Sequence, residues 1–254
     1  MGSFTGKNIL VTGATGGIGQ EIASAFAAQG GRVCVAGRSD GSDFAKTING
    51  RYYRLDVAEE SNVIAVYEQI IADIGKLDVI VLNAGVALED CTLEEFSSDK
   101  ARTMLDINVM GTFYGLKHGT PAMNDGGAII TIGSAAGGGM TVAMQGMYSA
   151  TKAGVHYLTR TVAIEQGHRG IRANTILPAS IAGTGMMVDD DGSSEAKFFG
   201  GITALGHMGK LTDVANMALF LASDQAGFIT GGEFPVDGGL TTGLSNSLVE
   251  GLLS

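Results

Sequence analysis

The chain has 254 residues, 45% of them hydrophobic and 17% charged, which is enough apolar sequence for one large core. A net charge of −10 and a pI near 4.7 argue against a nucleic-acid or anionic-membrane partner, because both select for basic surface. The longest apolar runs are strand-sized, well below the roughly 20 residues that span a bilayer.

Residues 8–11 (Asn8-Ile9-Leu10-Val11) predict a first strand that ends in a Gly-rich turn, and apolar spacing over 18–29 predicts a helix. Residues 32–36 and 52–55 follow as strands, and 62–74 as a helix with Val63, Val66, Ile70 and Ile74 on one face. Residues 77–82 form a wholly apolar strand, 93–117 a long helical stretch, 128–132 a strand, 147–166 a helix and 171–177 a strand. Apolar strands alternating with helices imply α/β architecture: a doubly wound parallel sheet of Rossmann type, three layers α/β/α. No linker or repeat divides the chain, so 1–254 are expected to form one domain. No secretory signal opens it, and Gly6 stands where N-myristoylation requires Ser or Thr. A cytoplasmic protein is expected, with Cys34 and Cys91 as reduced thiols.

Such sheets bind ligands beyond the carboxyl ends of their strands. After the first strand comes Thr12-Gly13-Ala14-Thr15-Gly16-Gly17-Ile18-Gly19, with Gly-x-x-x-Gly-x-Gly spacing at Gly13, Gly17 and Gly19. Glycines let the backbone turn tightly and approach a pyrophosphate, whose charge the N–H groups of the following helix attract. A dinucleotide is the favoured ligand, with contacts at Gly13, Thr15, Gly17, Ile18 and Gly19.

An acid at the end of the second strand would bind the adenosine ribose hydroxyls and select NAD, whereas a base would receive the extra phosphate of NADP. The chain has Gly37-Arg38-Ser39 there. Arg38, with Ser39 beside it, can grip a phosphate bidentately, which favours NADP(H). Gly16 offers no second basic contact, and the alternative is a solvated loop arginine with NAD(H). Asp56, in Leu55-Asp56-Val57, can accept from the adenine amino group or cap the next helix. Asn83-Ala84-Gly85 leaves room for the cofactor ribose, or is simply a turn.

The fifth strand leads to Ser134, and fourteen residues on stands Tyr148, with Lys152 four further along. Positions i and i+4 share a helix face, so phenol and ammonium can point into one cleft. A tyrosine of ordinary pKa about 10 is a poor acid–base catalyst near neutrality, and a nearby cation would lower it. Ser134 can donate a hydrogen bond to the reacting oxygen.

These motifs together resemble the short-chain dehydrogenase/reductase family from about Lys7 to Gly239. The matching pieces are Thr12-Gly13-x-x-x-Gly17-Ile18-Gly19, Asp56-Val57, Asn83-Ala84-Gly85, Asn108-Val109-x-Gly111, Ser134, Tyr148-x-x-x-Lys152, Gly170-Ile171-Arg172-x-Asn174 and Asp237-Gly238-Gly239. The resemblance implies that Tyr148 is the acid–base residue, that Lys152 also binds the nicotinamide ribose, and that Ser134 positions the substrate oxygen. It further implies that Asn108 holds a water linking Lys152 to solvent. The family has Pro-Gly and then a Thr after the sixth strand; this chain has Pro178-Ala179-Ser180-Ile181-Ala182-Gly183-Thr184, with Thr184 displaced by one position. Ile181 would bind the carboxamide through its backbone, and Pro178 and Thr184 would line the same end. A homotetramer is implied too, paired through the helices at 93–117 and 147–166, with the tail beyond Gly239 joining the contacts.

A segment at about 180–209 would cover the cleft, bringing Met186, Met187, Phe198, Phe199, Ile202 and Leu205, while Met140, Met144 and Met147 lie near Tyr148 in sequence. Methionine adapts to irregular apolar space, so these side chains form a hydrophobic pocket or pack core and subunit contacts. Lys197 is the only Lys or Arg from Ala179 through Gly209, so an anionic substrate finds little to clamp it. The expected function is NADP(H)-dependent interconversion of an uncharged, hydrophobic ketone and its secondary alcohol. The alternatives are an NAD-dependent alcohol dehydrogenase using the same residues and a non-catalytic dinucleotide sensor. Asp189-Asp190-Asp191-Gly192 reads as a solvated, mobile loop, the four histidines lack metal-ligand spacing, and no metal is expected.

Overall fold

Apolar residues fill both faces of the inner strands, and the strands pair accordingly. The computed structural model describes residues 3–187 and 192–253; the Asp189–Asp191 run lies outside them. The strands are β1 (Asn8–Thr12), β2 (Arg32–Gly37), β3 (Arg51–Arg54), β4 (Leu77–Leu82), β5 (Met123–Ile132), β6 (Arg172–Pro178) and β7 (Glu233–Val236). They form one parallel sheet in the order β3-β2-β1-β4-β5-β6-β7. The order reverses between β1 and β4, which is the switch point where such sheets open a crevice for ligands.

The helices are α1 (Gly17–Ala28), α2 (Ser42–Thr47), α3 (Glu60–Ile74), α4 (Ser98–Met104), α5 (Gly111–Gly119), α6 (Ala135–Gly138), α7 (Gly146–Gln166), α8 (Ser194–Gly201), α9 (Leu211–Ala222) and α10 (Asn246–Leu253). Strand side chains alternate between faces, and two cores result. Ile9, Val11, Val33, Val35, Val79 and Val81 pack with Ile22 and Phe26 of α1 and Val214 and Leu219 of α9. Leu10, Cys34, Ile80 and Leu82 pack with Val66 and Ile70 of α3, Leu116 of α5 and Val162 of α7.

One expectation needs correction. The stretch 93–117 is not helical from its start: α4 begins at Ser98 because the Ser97 side chain accepts the Lys100 N–H at 3.4 Å, and Leu93 before it is 70% exposed. Its middle, Leu105–Met110, widens into a π-helical turn that carries Asn108. The sequence also does not announce β7. Its four residues include Pro235, which lacks a ladder donor and is accommodated at a sheet edge, and β7 is the edge. Among the described residues no helix is long and apolar enough to cross a membrane.

Candidate active site

The Gly-rich turn joins β1 to α1 at the switch point. Gly13 and Gly17 have φ of +63° and +51°, a backbone region that side chains disfavour. A Cβ on Gly13 would stand 2.9 Å from Ala84 Cα, and one on Gly19 would collide with the Gly13 carbonyl and the Asn83 amide. Thr12 Oγ1 accepts the N–H groups of Asn83 (3.1 Å) and Ala84 (3.2 Å), while Asn83 Nδ2 donates to the carbonyls of Thr12 and Gly13 at 3.1 Å. Asn83 thus ties the β4 tip to the turn. α1 starts from Gly16 with no side-chain cap and no acid in its first turn, and nothing lies within 4 Å of a Cβ built on Gly16. Its first N–H groups therefore face an open, anion-friendly space.

The β2 tip lies beside this turn, since the Thr15 methyl would stand 3.0 Å from a Cβ on Gly37. Arg38 and Ser39 are exposed there. The Tyr52 hydroxyl lies 3.1 Å from the Gly37 carbonyl oxygen and 2.9 Å from that of Ser39, bracing the loop. Asp56 does not cap α3, whose N-cap is Glu59; its Oδ1 accepts from Ala58 N–H at 3.1 Å. Val57 packs against Gly111 at the foot of α5.

Ser134, at the N-cap of α6 beyond β5, and Tyr148 and Lys152 on α7 come together. The Ser134 hydroxyl, which accepts the Ala136 N–H at 3.2 Å, lies beside the Tyr148 phenol and favours its ionised form. Lys152 is 4% exposed; its Nζ donates to the Ile132 carbonyl at 2.9 Å and stands 5.8 Å from the Tyr148 ring centroid. A Cβ on Gly85 would meet Lys152 Nζ at 3.1 Å and Asn108 Oδ1 at 3.2 Å, so these three residues close on one point. Asn108, 1% exposed, accepts the Val86 N–H at 2.8 Å and donates to the Val86 carbonyl at 2.9 Å and to Thr151 Oγ1 at 3.0 Å.

The electrostatics depart from the expectation that Lys152 draws the phenol down. Burial raises Tyr148 above its ordinary range, with the Ser134 hydroxyl opposing it, and burial pushes Lys152 down to about 8. Desolvation penalises the charged form of each group.

Above this cluster, Ile181 bridges to Gly209: Gly209 N–H donates to the Ser180 carbonyl (2.9 Å) and Ala182 N–H to the Gly209 carbonyl (3.0 Å), leaving the Ile181 amide outside the bridge. Pro178 ends β6, and the backbone of Thr184 reaches the turn, 3.1 Å from a Cβ on Gly17. Cys91 N–H donates to the Met144 carbonyl at 3.1 Å, and Met144 and Leu93 are 52% and 70% exposed. Met186, Phe198 and Leu205, in the segment between β6 and α9, are likewise exposed. Thr12 and Thr151 are the supports that the sequence reading missed; Thr12's place directly before Gly13 is the only local signal for either.

A family model described as enoyl-(acyl carrier protein) reductase matches residues 13–241. The chain is 35% identical to a 3-alpha-(or 20-beta)-hydroxysteroid dehydrogenase of Mycobacterium bovis, over 97% of this chain and 94% of that protein. It is 32% identical to an NADP-dependent (R)-specific alcohol dehydrogenase of Lentilactobacillus kefiri, over 93% and 97%. The solved structure of a short-chain type dehydrogenase/reductase from Mycobacterium ulcerans superposes with a TM-score of 0.90 at 30% identity, covering 96% of this chain and 92% of that one.

Proposed function

The chain belongs to the short-chain dehydrogenase/reductase family, oxidoreductases acting on CH–OH groups with NAD(P), and we propose that it interconverts an uncharged, hydrophobic ketone and its secondary alcohol using NADP(H). The observation that carries this reading is the buried Lys152, with its Nζ held by the Ile132 carbonyl 5.8 Å from the Tyr148 ring centroid and Ser134 beside the phenol.

The residues present fit a dinucleotide, because the uncapped start of α1 and the open face at Gly16 make a cradle. Gly13, Thr15, Gly17, Ile18 and Gly19 would hold the pyrophosphate, Arg38 and Ser39 the adenosine ribose phosphate, and Asp56 and Val57 the adenine. Asn83, Ala84 and Gly85 would flank the sugars, Tyr148 and Lys152 the nicotinamide ribose, and Pro178, Ile181 and Thr184 the carboxamide end. The bound nicotinamide supplies or accepts the hydride. In the reducing direction Tyr148 gives its proton to the substrate oxygen while the Ser134 hydroxyl holds that oxygen; oxidation reverses both. Lys152 would hold the nicotinamide ribose beside the phenol, and Asn108 would hold a water linking Lys152 to solvent.

Hydrophobic specificity is supported by the exposed apolar side chains of Leu93, Met144, Met186 and Phe198, in loops and a helix, and by the absence of Lys or Arg other than Lys197 from Ala179 through Gly209. The family model's description names a carrier-protein substrate, but a chain of net charge −10 offers an acidic carrier little basic surface. One domain and a tetramer complete the reading; exposed Tyr157 and Ile164 on α7 and Phe113 on α5 support pairing through these helices, which light scattering checks.

Fluorescence titration with NADPH and NADH, followed by a screen of ketones and alcohols with both, tests the proposal. Tighter NADPH binding and turnover of apolar ketones are expected. Equal or tighter NADH binding points to the NAD-dependent alternative, and binding without turnover to a sensor.

A further inference from the structure

We propose that Arg54 is a second cation for the ribose phosphate of NADP(H), acting beside Arg38; this rests on the NADP(H) reading above. β3 pairs with β2 so that Arg54 lies opposite Gly37, and the Leu55 N–H donates to the Gly37 carbonyl at 2.9 Å. Arg54 therefore leaves its strand next to the peptide that leads into Arg38.

Alternation along β3 decides which face it uses. Arg51 and Tyr53 turn toward α3, where Arg51 pairs with Asp73 at 3.5 Å and the Tyr53 hydroxyl donates to Asp73 at 3.0 Å. Tyr52 lies on the opposite face, packed against the α1 core, with its hydroxyl under the Gly37 and Ser39 carbonyls. Arg54 shares the face of Tyr52 and stands one strand repeat nearer the ligand edge, at the base of the loop that follows β2. Its charge reaches the Tyr52 hydroxyl. Thr15, from the pyrophosphate turn, touches the same loop at Gly37 and Gly41, so an adenosine extending from that turn would reach the loop that carries Arg38, with Arg54 at its base.

The charges around this loop favour an anion. Among the described residues Arg51, Arg102, Arg160 and Arg169 each have a carboxylate partner; Arg32, Arg38 and Arg54 are exposed with no ion pair, and Arg32 stands at the far end of β2 from this loop. The loop's own acid, Asp40, accepts the Ser42 N–H at 2.9 Å, which holds its pKa below the ordinary range. Two arginines against one carboxylate leave the loop positive on an acidic protein. Two guanidinium groups also suit a phosphate dianion, since each can present paired N–H donors to its oxygens.

The test is isothermal titration of the full chain with 2′,5′-ADP and 5′-AMP, which differ only in the ribose phosphate. The wild type is expected to bind 2′,5′-ADP more tightly. Arg54→Gln should weaken 2′,5′-ADP about tenfold, the scale of one charge-assisted hydrogen bond, and leave 5′-AMP within twofold; Arg54→Lys should recover part of the loss. Discrimination should vanish when Arg38→Gln is added. Unchanged 2′,5′-ADP affinity in Arg54→Gln, or equal weakening of both ligands, would overturn the proposal while leaving the NADP(H) reading intact. A wild type that does not discriminate would overturn that reading and the proposal with it.

Discussion

Asn108 pairs with Val86 as a neighbouring strand would: its Oδ1 accepts the Val86 N–H at 2.8 Å and its Nδ2 donates to the Val86 carbonyl at 2.9 Å. The π-helical turn Leu105–Met110 carries the side chain that holds the chain leaving β4 beside Lys152. Asn108→Ala should leave buried polar backbone without a partner and cost about 1–3 kcal/mol, read by urea unfolding. Asn108→Asp keeps an acceptor for Val86 N–H but loses the donor to Val86 and Thr151, so its loss should fall between Ala and wild type. A stability unchanged in both variants would refute this support.

Tyr148→Phe removes the proton donor and keeps the ring. Carbonyl reduction should fall about 10²–10⁴-fold, with NADPH affinity within a few-fold by fluorescence titration. Near-wild-type turnover would exclude Tyr148 as the acid.

His156 lies one turn beyond Lys152 on α7, 2% exposed, with Glu233 at 3.8 Å from its Nδ1. Burial, and then the charges of Lys152 and Arg160, push its pKa down to about 4 from the ordinary 6.5. Between those values the unfolded chain binds a proton that the folded chain refuses. Stability from this group is therefore complete above pH 6.5 and is lost as pH falls toward 4, by up to about 1.4 kcal/mol per pH unit. Urea unfolding at several pH values should show the wild type's advantage over His156→Leu shrinking from pH 6.5 to 5. A constant difference would show that His156 does not titrate in this way.

Gly19→Ala would press a methyl group into the Gly13 carbonyl and the Asn83 amide. Overpacking of this kind costs about 1–3 kcal/mol, and the displaced turn should also weaken NADPH binding. Thermal unfolding and cofactor titration report both effects; an unchanged pair of values would mean the turn yields without cost.

Residues a few positions apart on one element were legible from spacing alone. Period-2 alternation along Ile9-Leu10-Val11 and Val79-Ile80-Val81-Leu82 gives two apolar strand faces, glycine at 13, 17 and 19 permits the turn, and four-residue spacing puts Tyr148 and Lys152 on one side of a helix. These are properties of a strand, a turn and a helix by themselves. The start of α4 at Ser98 escaped because an N-cap outweighed an apolar run, and β7 escaped because Pro235 is tolerated only once the strand is known to be an edge. Asn108's grip on Val86, the depth at which Lys152 sits, and Arg54 opposite Gly37 were decided by packing. Such relations depend on which strands pair and in what register, and register arises from the whole sheet rather than from residues that are neighbours in sequence.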